Sequence, residues 1–256
     1  MKYHKNDTLI LFAAYCDKNI LPEYLKIYLL ELRKYAKEMV FINCFDTYIT
    51  QEQFFFKHHQ IDILTVNNEG YDFGMWQKAL AQKNLADYKH ILLVNDSCIL
   101  IQPLSNFFNQ WANSNADYYG ILSSNEKQYH LQSYFIGLNQ HAIQVLVNHF
   151  TRHGIVKDKR KLINLYEIGL TVGMLKKGLC VDALYNGSGN TNPNFHQLEA
   201  LLVEGFPLIK KQIALNKLFE HDIKAFAKEN IDLSAENIKK IIKKHSALEV
   251  DWDKIF

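Results

Sequence analysis

The sequence predicts an α/β fold, a mostly parallel central sheet flanked by helices and followed by a helical C-terminal tail. Three observations predict it. Apolar runs of strand length recur through the first half of the chain, and the segments between them carry apolar residues at helical spacing. The longest run, Ile91-Leu92-Leu93-Val94, is apolar without alternation, as a strand covered on both faces must be. Strands alternating with helices favour parallel pairing through right-handed crossovers.

Residues 9–15 read as the first strand, and Pro22 suits the first turn of a helix carrying Tyr24, Leu25, Tyr28, Leu29 and Leu32 on one face. Residues 38–44 and 61–66 give two more strands, residues 76–85 a helix, and residues 90–100 the longest strand. After Pro103 a helix over 104–112 leads to strands at 117–122 and 134–138, expected as antiparallel edge strands. Residues 140–150 are helical. The charged connection Lys157-Asp158-Lys159-Arg160-Lys161 is a solvated loop or the start of the next helix, which runs over 166–177 and which Gly178 ends in a left-handed turn. The segment Asn186-Gly187-Ser188-Gly189-Asn190-Thr191-Asn192-Pro193-Asn194 is dense in turn formers and is expected to be a mobile lid. Beyond Pro207 the chain reads as helical. Residues 235–244 set Ile238, Ile241 and Ile242 on one face and Lys239, Lys240, Lys243 and Lys244 largely on the other, which fits a packed tail helix or attachment to an anionic membrane.

A chain of 256 residues can bury a full core, and we expect one catalytic domain over residues 1–220 with a helical extension, 221–256, packed on it. Its 29 Lys and Arg nearly balance 27 Asp and Glu, so no global field calls for nucleic acid and any anion site must be local. The first apolar run is too short to span a bilayer and no cleavage-type signal follows it, so the expected location is cytoplasmic, with the inner face of the membrane as a peripheral alternative. Cys16, Cys44, Cys98 and Cys180 lack paired spacing and lie in or beside strand-like runs, so they read as buried free thiols rather than a zinc or disulfide framework.

The chemistry concentrates in two segments. Asn68-Glu69-Gly70-Tyr71-Asp72-Phe73-Gly74-Met75-Trp76 reads as a glycine-bearing turn opening a helix; one helix later, the buried run ends in Asn95-Asp96-Ser97. Open α/β sheets bind ligands at the carboxyl ends of their strands, so the pair marks a site for a phosphorylated substrate. GxGxxG and GxxxxGK[ST] are both absent, which removes the dinucleotide and P-loop readings. Asp72 either caps its helix or holds a hydroxyl of the ligand, with Asn68 and Gly70 letting the backbone come close. A carboxylate at the end of a buried strand is costly without a cation or donors, so Asp96 either binds a divalent ion with a diphosphate or caps an Asp-Ser turn. His130, Gln132 and Ser133 form a polar cluster on an apolar strand, suited to sugar hydroxyls of an acceptor or satisfied within the core.

Gly70-Tyr71-Asp72-Phe73-Gly74-Met75-Trp76, Leu92-Leu93-Val94-Asn95-Asp96-Ser97, His130-Leu131-Gln132-Ser133-Tyr134-Phe135 and Gly205-Phe206-Pro207-Leu208-Ile209-Lys210-Lys211 resemble, in order, the blocks of the rhamnan synthesis F family of bacterial polysaccharide glycosyltransferases. The resemblance extends over roughly residues 8–220. It implies a GT-A-like nucleotide-diphospho-sugar transferase fold. It further implies inverting transfer of a sugar, typically rhamnose from its dTDP form, to a glycan or lipid-linked oligosaccharide acceptor in cell-surface polysaccharide or lipopolysaccharide synthesis. Asn95-Asp96-Ser97 then stands where that fold carries its DxD motif, with one carboxylate retained, which implies weak affinity for Mn or Mg.

The resemblance also implies Glu167 as the general base, His196 as a further metal or diphosphate ligand beside Asp96, and Lys210, with Lys211 a poorer match, on the departing diphosphate. Tyr15 and Asp17 fall where the fold receives the nucleotide base. The rival readings are a sugar-1-phosphate transferase of capsule synthesis and a non-catalytic glycan-binding subunit of the same fold.

Overall fold

The computed structural model describes residues 2–15, 20–44, 47–215 and 235–255. Strand β1 (Thr8–Ala14) is the middle of a mixed sheet, pairing in parallel with β2 (Glu38–Asn43) on one side and β4 (His90–Asn95) on the other. β3 (Asp62–Thr65) lies parallel outside β2. Beyond β4 the direction changes: β8 (Phe135–Asn139) runs antiparallel to it, and β6 (Tyr118–Ser124) antiparallel to β8. The two-residue β7 (His130–Leu131) folds back on the end of β6, and β9 (Val181–Asn186) lies parallel along β6.

Both faces of the sheet are covered, which explains the uninterrupted apolar runs. The side chains of β1 alternate between two cores. Ile10 and Phe12 join Leu92 and Val94 beneath helices α1 (Glu23–Arg33) and α4 (Ser105–Asn113), which supply Leu25, Tyr28, Phe107 and Trp111. Leu9, Leu11 and Ala13 face α3 (Tyr71–Leu80), α5 (Gln140–His153) and α7 (Gly169–Lys176) through Phe73, Trp76, Leu146 and Met174. Each such burial contributes roughly 1.5–3 kcal/mol. Gly178, at φ +74°, ends α7 as expected: its N–H and that of Leu179 close on the carbonyls of Leu175 and Met174.

Several elements differ from the sequence expectation. The two strands expected at an edge, β6 and β8, are antiparallel but interior, β8 lying between β4 and β6 and β6 carrying β9 on its far side. A helix, α2 (Thr47–His58), fills the connection between β2 and β3, which the sequence pattern left unassigned. The run over 90–100 is two strands, because the Asp96-Ser97 turn breaks it before β5 (Cys98–Leu100). Residues beyond Pro207 begin as a strand, β10 (Leu208–Lys210), antiparallel to β5. The charged connection is the start of the next helix, one of its two expected readings: α6 (Lys159–Leu162), which Asp158 caps through the Lys161 N–H, continues into α7 through a π-helical turn, Ile163–Ile168.

The β5–β10 pair carries its own small core. Ile99, Ile101, Ile209 and Ile213 pack against Ile238 and Ile242 of the helix Ala235–His245 and against Trp252. The apolar face of that helix is thereby covered. Among the described residues no helix is long and apolar enough to cross a membrane. Cys44, Cys98 and Cys180 are free thiols, but only Cys98 is buried as expected, Cys44 being half-buried and Cys180 exposed; Cys16 lies outside the described residues.

Candidate functional site

β1 has β2 on one side and β4 on the other, so the chain leaves in opposite directions at their carboxyl ends and a crevice opens there. A cavity of about 500 Å³ occupies it, lined by Ala13, Ala14 and Tyr15 after β1, Asn95, Asp96 and Ser97 after β4, and Asn68, Tyr71, Asp72 and Met75 from the start of α3. Two glycines let α3 enter so close. Gly70 is left-handed at φ +77°, and a Cβ on Gly74 would stand 1.9 Å from the Glu69 carbonyl oxygen. Tyr71 follows at φ +55°, unusual for a bulky side chain, and is 47% exposed on the cavity rim.

Asp72 lies against the Asn95-Asp96-Ser97 turn. One carboxylate oxygen accepts the Phe73 N–H at 3.0 Å and the other accepts from the Asn95 amide. Burial pushes the Asp72 carboxyl above its ordinary range, with the Asn95 hydrogen bond opposing. The turn is closed by Asn95 Oδ1, which accepts from the Ser97 N–H at 3.1 Å and the Ser97 hydroxyl at 2.6 Å, and the Asp96 N–H ties it to the Ala13 carbonyl.

β10 delivers two cations to this turn. Its register sets Lys210 opposite Cys98, and the Lys211 N–H donates to the Ser97 carbonyl at 2.8 Å. Lys211 Nζ lies 2.5 Å from Asp96 Oδ2. Lys210 Nζ donates to Ser97 Oγ at 3.4 Å and stands 4.0 Å over the Tyr134 ring.

Ser97 also lines a second cavity of about 480 Å³, shared with Lys210, His130, Gln132, Glu167 and His196. Glu167 projects from the π-helical turn, an insertion common where a side chain must be re-aimed. Burial pushes its carboxyl above the ordinary glutamate range, opposed by His130 and Lys210, raised further by Asp72 and lowered by the Ser133 backbone N–H that it accepts. His130 Nε2 lies 3.9 Å from Glu167 Oε1. A buried chain of hydrogen bonds holds that ring. The Tyr134 hydroxyl donates to Asn194 at 2.7 Å, the Asn194 amide donates to Gln132 at 2.8 Å, and Gln132 Nε2 lies 3.3 Å from His130 Nε2. His130 Nδ1, at 2.8 Å from the Gln128 carbonyl, carries the proton that this contact needs.

The structure thus gathers the expected residues into two adjoining cavities: Tyr15, Asn68, Asp72, Asn95 and Asp96 in the first; His130, Gln132, Glu167, His196 and Lys210 in the second. Gly70 shapes the first without lining it, and Ser133 meets Glu167 through its backbone. Asp17 lies outside the described residues. The segment expected as a lid hydrogen-bonds to its neighbours: the Gly187 N–H donates to the Ser123 carbonyl, the Asn125 amide donates to the Gly187 carbonyl, and Asn192 caps a helical turn, Pro193–His196. Sequence reasoning missed Ser97, Asn194 and the π-turn. Ser97 was legible as part of the turn motif; Asn194 was masked by its turn-rich surroundings.

The oxygens at the turn do not fit a divalent ion. Asn95 Oδ1 is taken twice by Ser97, Asp96 Oδ2 is held by Lys211, and His196 lines the other cavity. A hard cation needs several convergent oxygens. Among the described residues no three of His, Cys, Asp and Glu converge.

Residues 40–252 match the model of a family described as rhamnan synthesis protein F. The virulence protein VirA of Vibrio anguillarum is 32% identical over 133 residues, which are 46% of this chain and 40% of VirA, so the match spans less than half of that relative. Among solved structures, the inositol-1-phosphate CTP transferase from T. maritima aligns at a TM-score of 0.48 and 9% identity, over 91% of this chain and all of that one. The CTP:phosphocholine cytidylyltransferase from Streptococcus pneumoniae aligns at 0.46 and 10%, over 79% and 100%.

Proposed function

We infer, from the premise that the chain belongs to the rhamnan synthesis protein F family, that it is a glycosyltransferase of bacterial surface-polysaccharide synthesis. In this reading it moves a sugar, rhamnose from its dTDP form, to a saccharide acceptor with inversion. One observation carries the reading: two cavities meet at Ser97, with the Lys210 ammonium at the junction and the buried carboxyl of Glu167 facing only the second. A donor and an acceptor need separate pockets whose reacting ends touch.

The nucleotide takes the first cavity, with Tyr15, 54% exposed, available to stack on a base and Asp72 to bind a ribose or sugar hydroxyl. Its diphosphate lies toward Ser97 and the lysines. The acceptor takes the second cavity, its hydroxyl at Glu167. The carboxylate accepts the hydroxyl proton as the acceptor oxygen bonds to the anomeric carbon. On the opposite side the bond from that carbon to the diphosphate oxygen breaks, and the electron pair leaves with the diphosphate, whose charge the ammoniums offset. His130, steadied by Gln132, flanks Glu167 at 3.9 Å and helps to position it. A peripheral place at the membrane would use the lysines of the tail helix, of which Lys243 is already paired with Asp253 and Lys240 with Glu236.

The test is incubation of the protein with nucleotide sugars and candidate acceptors, followed by product mass. Transfer should add one sugar residue and release a nucleoside diphosphate, and Glu167→Gln should slow it by about 10²–10⁴-fold. A product heavier by a phosphoryl group points to the sugar-1-phosphate transferase. Binding without turnover of any donor points to the glycan-binding subunit.

A further inference from the structure

We propose that the donor's diphosphate is bound by Lys210 and Lys211 without a divalent cation, Asp96 being the resting partner from which Lys211 is drawn when the diphosphate enters. The inference rests on the nucleotide-sugar reading and deepens it.

The geometry at the turn carries it. A reduced DxD triplet, Asn95-Asp96-Ser97, normally invites a metal to neutralise a diphosphate, yet Asn95 Oδ1 is already taken by Ser97 and Asp96 Oδ2 by Lys211. Where the ion's charge would be wanted, the β5–β10 pairing supplies two ammoniums instead, one on Asp96 at 2.5 Å and one on Ser97 at 3.4 Å. Both lysines are partly buried, so their charges act with little screening by water. A diphosphate offers more oxygens than one carboxylate, and a flexible lysine stem lets Lys211 exchange Asp96 for it without moving the backbone. Lys210 is already steered to the junction by the Tyr134 ring. The two cations then stabilise the leaving diphosphate as the glycosidic oxygen–carbon bond breaks, and no co-reactant is needed.

Isothermal titration of the whole chain with dTDP, UDP, GDP and CDP, in EDTA and in manganese chloride, tests this. The wild-type protein should bind its preferred nucleotide with affinities that differ by less than about threefold between the buffers, as charge-assisted hydrogen bonds alone would give. Lys211→Met should weaken binding by about tenfold or more in both buffers. Asp96→Asn should bind as tightly as wild type or more tightly, because Lys211 is no longer held back. If manganese tightens wild-type binding by tenfold and Asp96→Asn erases that gain, the proposal fails while the nucleotide-sugar reading stands. If folded wild-type protein binds no nucleoside diphosphate in either buffer, both fall.

Discussion

Replacing Glu167 by glutamine removes a charge and almost no volume, so its effects on rate and on stability should run in opposite directions. The side chain is 19% exposed, within 3.9 Å of His130, and burial holds its carboxyl above the ordinary glutamate range. A positioned general base contributes about 10²–10⁴-fold, and the loss of kcat in Glu167→Gln should fall in that range. In the wild type kcat/KM should climb with pH on a limb above the ordinary glutamate value of about 4.3, because the base works only when ionised. The stability sign follows from the same shift. Below about pH 4 the carboxyl is neutral in both folded and unfolded chains and the variant should match wild type. As pH rises, the unfolded chain ionises first, so the wild type loses stability until the raised folded value is passed, and the loss then stays constant. Glu167→Gln should therefore have the higher Tm at neutral pH, by about 2–4 °C for each kcal/mol released. Thermal unfolding from pH 3.5 to 8, run beside pH-dependent kinetics, measures both. A variant that keeps more than a tenth of the activity, or whose Tm falls at neutral pH while matching at low pH, refutes the assignment.

Two other perturbations follow from the packing. Gly74→Ala sets a methyl 1.9 Å from the Glu69 carbonyl oxygen and should cost about 1–3 kcal/mol in denaturant unfolding, with donor binding lost first, whereas Gly173→Ala, which meets no atom within 4 Å, should be neutral or slightly stabilising. Asn194→Ala strands the buried Tyr134 hydroxyl and Gln132 carbonyl, which should cost about 2–4 kcal/mol and lower kcat by releasing His130, with nucleotide affinity unchanged in the same preparation.

The parallel half of the sheet was legible because burial on both faces leaves a mark that needs no partner to read: β1 is apolar without a break from Leu9 to Ala14, and β4 from Ile91 to Val94. Asp72 and Asp96 were legible for a related reason, each being a carboxylate next to a buried segment. Lys211 on Asp96 was not, because 115 residues separate them and only the β5–β10 register joins them. α3 was read five residues late, since Gly70 and Gly74 look like a loop until the Glu69 carbonyl shows what they make room for. The π-turn at Glu167 was invisible, as one extra residue in a helix barely disturbs the apolar pattern.

The late arrival of Lys210 and Lys211 also fixes an order of events during synthesis. Strands β1, β2 and β4 leave the ribosome well before β10, so a nascent chain can assemble the crevice and present Asp96 with no counter-charge until residue 211 has emerged. Its two halves are made at different times. A chain halted anywhere between β8 and β10 would hold the pocket walls and lack the cations, and so should be unable to retain a nucleotide until residue 211 has emerged.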